Sequence, residues 1–79
     1  MRFHVYLSRT AFTESNNEIT IGDKLVFPSD AMTGKRASMI YIHGPQEEWD
    51  AGKHKDWLYT SVMTRLEDAN PARVVWCHD

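Results

Sequence analysis

The strongest constraint on this chain is a period of two. Phe3, Val5 and Leu7 alternate with His4, Tyr6 and Ser8, and Ile40 and Ile42 alternate with Tyr41 and His43. Successive side chains of a β-strand point to opposite faces, so the pattern predicts strands with one apolar face and one face of aromatic and imidazole groups. Trp76 and His78 repeat the theme beside Val75 near the end of the chain. The second face is where a function would sit.

The alternation marks residues 2 to 8 as a strand. Residues 9 to 18 turn polar, and Asn16-Asn17 reads as a turn within a loop whose one large apolar anchor is Phe12. The run Ile19-Thr20-Ile21-Gly22-Asp23-Lys24-Leu25-Val26-Phe27 reads either as a tight hairpin or as a segment bending at Gly22-Asp23 into a strand. In the second form, Gly-Asp ahead of alternating apolar residues resembles small SH3-like barrels, which implies such a barrel with an appended helix as an alternative fold. Pro28 closes this strand or places it at a sheet edge. Residues 29 to 35 are a hairpin loop, residues 36 to 43 a strand ended by Gly44-Pro45, and residues 46 to 54 a helical turn or ordered loop around Trp49.

Between residues 55 and 69, Leu58, Tyr59, Val62, Met63 and Leu66 recur at helical spacing, and Asn70-Pro71 supplies a stop. Residues 72 to 78 form a last strand. The expected order is β-β-β-α-β: an α+β two-layer sandwich with an antiparallel or mixed sheet of four or five strands, packed by one helix. A four-turn helix is about 22 Å long and covers only part of such a sheet. The opposite face is then exposed or buried against a partner.

With 79 residues there is room for a single globular domain, 1–79. The net charge of -2 argues against nucleic acid, since phosphate contacts dominate affinity in most nucleic-acid binders. Lys35 and Arg36, with Lys24, form the one basic cluster, and it reads as a solvated loop. A single cysteine, Cys77, allows no intramolecular disulfide and points to a reducing cytoplasm. No segment has the length and apolarity of a signal peptide or membrane span, so no membrane association is expected.

Catalytic parts are present without a motif: Cys77, Ser8, Ser38, the histidines, Glu47, Glu48 and Asp50 form no recognisable nucleophile or carboxylate pair. His4, His43, Cys77 and His78 lack zinc spacing, so no metal and no cofactor is assigned. What remains is the aromatic face. Large apolar bodies with polar tips are the side chains that dominate protein interfaces, which makes His4, Tyr6, Tyr41, His43, Trp49 and Trp76 the partner-binding candidates. Core roles compete at two of these: Trp49 would serve as a lid on the helix, and Trp76 would face either way.

The expectation is therefore a small non-enzymatic protein-binding module that masks or modulates a larger partner, with a homodimer compatible. In size it resembles the compact inhibitors of host or defence machinery found in phages and mobile elements. The alternatives are a small RNA-binding or RNA-cleaving protein, using histidines with Arg2 or Lys55, and a structural subunit of an assembly.

Overall fold

A computed structural model describes residues 1 to 77; His78, which the sequence pattern included, lies outside the described residues. Four strands form one sheet: β1 (Arg2–Val5), β2 (Lys24–Val26), β3 (Met39–His43) and β4 (Val74–Cys77). Their spatial order is β2-β1-β3-β4, and every pairing is parallel. The antiparallel or mixed α+β sandwich, and with it the barrel alternative, is thereby overturned in favour of an α/β arrangement.

The reason lies in residues 9 to 18. Instead of a loop they hold α1 (Arg9–Ser15), which carries the chain back across the sheet so that β2 enters parallel to β1. Little apolar periodicity marks this helix; its ends define it. Ser8 is the N-cap, its Oγ accepting from the Ala11 amide at 3.0 Å. Asn16 sits in the left-handed region at φ 58° and returns its amide to the Thr13 carbonyl, so the asparagine expected in a turn is a helix stop.

From β2 to β3 the chain crosses without a helix, burying Met32 and Ala37 on the way. The backbone of Ala37 is fixed to the far side of the fold: its amide donates to the Arg65 carbonyl and its carbonyl accepts from the Glu67 amide, both at 2.9 Å. From β3 to β4 the chain runs through α2 (Gln46–Ala51) and α3 (Lys55–Trp57). The expected long helix starts on time at Lys55 but passes into a π-helical turn, Leu58–Val62, and a 3-10 turn, Met63–Arg65. Thr60 Oγ1 donates to the Asp56 carbonyl at 2.6 Å and Thr64 Oγ1 to the Thr60 carbonyl at 2.7 Å. Such threonine back-bonding is associated with bending of helices.

The core lies on one side of the sheet. Phe3, Val5, Val26, Ile40 and Ile42 are wholly buried there, against Trp49 of α2 and Leu58 and Val62 of the π turn. Register places Val74 and Trp76 beside Ile40 and Ile42 on this same face, so Trp76 packs at the edge of the core. Trp49 is wholly buried in this core, and its Nε1 donates to the His43 carbonyl at 3.1 Å.

Candidate functional site

The second face carries the other half of the alternation. Across it runs a ladder of rings: Tyr41 stacks on His4 at 5.0 Å between centroids, His4 meets His43 edge to edge at 5.6 Å, and His43 stacks on Tyr6 at 4.1 Å with planes 6° apart. Phe12 of α1 closes the ladder edge-on against Tyr6 at 5.1 Å. Parallel register sets this up, since His4 pairs with Tyr41 directly and His43 lies one pleat further along β3.

A polar line accompanies the rings. Arg2 Nε donates to Asp23 Oδ1 at 3.0 Å, and His4 Nε2 lies 3.0 Å from Asp23 Oδ2. His4 Nδ1 then lies 3.3 Å from His43 Nε2. With the His4 Nε2 proton directed at Asp23, Nδ1 accepts from His43 when His4 is neutral and donates to it when His4 is cationic. Asp23, His4 and His43 thus form a chain in which one proton reverses the direction of the central bond. Burial pushes the Asp23 carboxyl up, but the hydrogen bonds from Arg2 and His4, reinforced by their charge, outweigh it and hold the group below the ordinary carboxylate range. The same ion pair raises Arg2.

The far end of this chain reaches a crevice of about 350 Å³ lined by Tyr6, Ala11, Glu14, Ser15, His43 and Gly44. It lies where β1 and β3 end, with the connection from β1 leading to β2 on one side and that from β3 leading to β4 on the other. In open parallel sheets the gap outside such a reversal is the usual place for a ligand.

The site residues expected from sequence therefore divide. His4 and Tyr41 are half-buried and lie on the open part of the second face. Tyr6 is 2% exposed, covered by α1, and takes a hydrogen bond on its hydroxyl from Asn17 Nδ2 at 2.9 Å. His43 is 9% exposed, and Trp49 and Trp76 belong to the other side of the sheet. Trp49 and Tyr6 thus offer no surface to a partner in this fold. Asp23 was missed as the group that orients His4. Its place after Gly22 in a bend was visible in the sequence, but only the parallel pairing of β2 with β1 brings it to His4.

Beyond the reach of α1 the second face is only partly buried. Leu25, Met39, Tyr41 and Val75 share it by register, and none is buried. Ile21, in the turn before β2, is fully exposed. Arg2, paired with Asp23, and His4 stand on β1 between Leu25 on β2 and Met39, Tyr41 and Val75 on β3 and β4, and Arg73, just before β4, approaches both Asp68 at 3.6 Å and the Met39 sulfur at 3.8 Å. Among the described residues no group of three or more metal-ligating side chains converges, and no helix is long and apolar enough to cross a membrane. No protein family, curated protein or solved structure matches the chain.

Proposed function

We propose that this chain is a small protein-binding module whose open sheet face docks an amphipathic helix of a larger partner. The observation that carries the reading is a parallel sheet whose second face carries a helix at the Tyr6 end and only partly buried side chains beyond it. Parallel sheets occur almost only with both faces covered, and the covering element is a helix. Here one helix of seven residues, α1, shields the Tyr6 end of the second face, while Leu25, Met39, Tyr41 and Val75 stay partly exposed. Apolar side chains interspersed with charged and imidazole groups, as Met39, Tyr41 and Val75 are with Arg2 and His4, are also in keeping with the mixed polarity of non-obligate protein interfaces. Docking there would mask the partner's helix.

The test uses the tagged chain recovered from the cells that make it, beside Val75→Asp and Tyr41→Ala variants of unchanged melting temperature. A partner present at stoichiometric amount with the parent chain and lost from both variants is expected. Equal retention by the variants would remove the reading. If light scattering instead finds a dimer that Val75→Asp dissolves, the occupant is a second copy of this chain.

A second reading, RNA cleavage, has the Asp23, His4 and His43 chain behind it, because paired imidazoles oriented by a carboxylate suit general acid–base chemistry. Turnover of RNA by repeatedly purified protein, abolished by Asp23→Asn, would support it; absence of turnover would exclude it.

A further inference from the structure

On the core side of the sheet, the helical segment stops short of β4 and leaves a groove of about 480 Å³. Tyr59 and Met63 line it from the helical segment, Val74 and Trp76 from β4, and Leu66 and Gln46 complete the principal contacts. None of the described residues lining it is Asp, Glu, Lys, Arg or His, in a chain where 25% of residues are charged. Its volume falls within the range of roughly 300 to 1,000 Å³ typical of small-molecule sites.

We infer that this groove binds a neutral, flat aromatic small molecule, held against the rings of Tyr59 and Trp76 and hydrogen-bonded at the Gln46 end. The absence of charge sets the class, because a charged ligand entering an apolar groove loses hydration with no partner to replace it. Two aromatic side chains and a carboxamide give a ring system its stacking surfaces and one polar anchor. The π turn is the second observation. It places Tyr59 within a widened helical turn, and such turns are found frequently at functional sites. Tyr59 is also fixed in place, its hydroxyl donating to Asp50 Oδ1 at 2.7 Å. Burial and that hydrogen bond raise its ionisation above the ordinary value, against a smaller opposing effect of the Gln46 side chain on the same hydroxyl.

Indole, tryptamine and indole-3-acetate titrated into the isotope-labelled full chain test the inference by amide chemical shift. Indole is expected to give saturable shifts at Tyr59, Met63, Val74 and Trp76, with both charged analogues about tenfold weaker or worse. Gln46→Ala, an exposed position, should keep the fold and weaken indole severalfold, and Met63→Glu should abolish binding. Failure of indole to saturate, shifts centred on Tyr41 instead, equal binding of the charged analogues, or unchanged indole affinity in Gln46→Ala would each overturn it.

Discussion

Replacing Asp23 by Asn would preserve the shape of the second face and remove the charge to which Arg2 and His4 both donate. Because the folded carboxyl ionises below its ordinary value of 3.8, its contribution to stability is present above that value and is lost as pH falls through the lower folded-state value. Asp23→Asn should therefore lower the urea midpoint at neutral pH and flatten the further loss of stability below the carboxyl's ordinary value of 3.8. An acid limb as steep as that of the parent would deny Asp23 this role. On the other side of the sheet, Trp49 combines full burial with one hydrogen bond to the His43 carbonyl. Trp49→Phe, which retains most of the ring packing and removes the indole donor, should cost about 1 kcal/mol in denaturant unfolding. Trp49→Ala should cost about 3 to 5 kcal/mol, a large part of a small domain's stability. Equal losses for the two would mean that the hydrogen bond, and not packing, dominates. Gly44 adds a backbone test: at φ +116° a side chain is strained, and a Cβ would meet Trp49 Nε1 at 3.3 Å. Gly34, at φ +80°, faces open space. Gly44→Ala should lower the melting temperature more than Gly34→Ala, and parity between them would remove Trp49 as the cause.

At the level of elements, α1 decides the topology. Its N-cap is a single hydroxyl, so Ser8→Ala should cost about 1 kcal/mol and speed amide exchange in α1 before the rest of the fold. Uniform exchange across the chain would show that α1 is not an independently fraying unit. This helix also explains what the sequence could and could not disclose. The strand positions of Phe3, Val5, Ile40 and Ile42 were legible because burial on one face writes a period of two directly into the residues. Their direction was not. Alternation is the usual mark of an antiparallel sheet, whereas parallel strands, covered on both faces, read as continuous apolar runs. Here parallel strands alternate because their second face is partly bare. In α1 the apolar positions are few, so its caps, Ser8 and Asn16, carried the information that periodicity lacked. The π turn has the same character: Leu58 and Val62 announced a helix, while its wider winding leaves no mark in the apolar spacing. At the site, His4, Tyr41 and His43 were visible as one alternating set. Asp23 and Phe12 joined them only through the crossover between β1 and β2.

For the molecule as a whole, the two sides of the sheet are unequal. One holds the core beneath α2, α3 and the π turn; the other holds a ring ladder closed by α1 at one end and open at the other. The aromatic face expected from the sequence is real but smaller than it promised, because Tyr6 is spent on α1 and Trp76 packs at the core edge. Its open remainder, Leu25, Met39, Tyr41 and Val75, is the surface on which the proposed function rests. Adding a charge there should not unfold the protein, since all four side chains are already in partial contact with water. Val75→Asp is expected to leave the melting temperature within a few degrees, about what a change of under 1 kcal/mol produces in a domain of this size. A collapse of the fold would show that Val75 belongs to the core. The most direct measurement is hydroxyl-radical footprinting of Met39 and Tyr41, made on the purified chain and on the assembly captured from its native cells. Both residues should be modified readily in the purified chain and protected in the assembly, with Ile21 as a nearby exposed reference. Equal modification in the two samples would contradict a partner on this face.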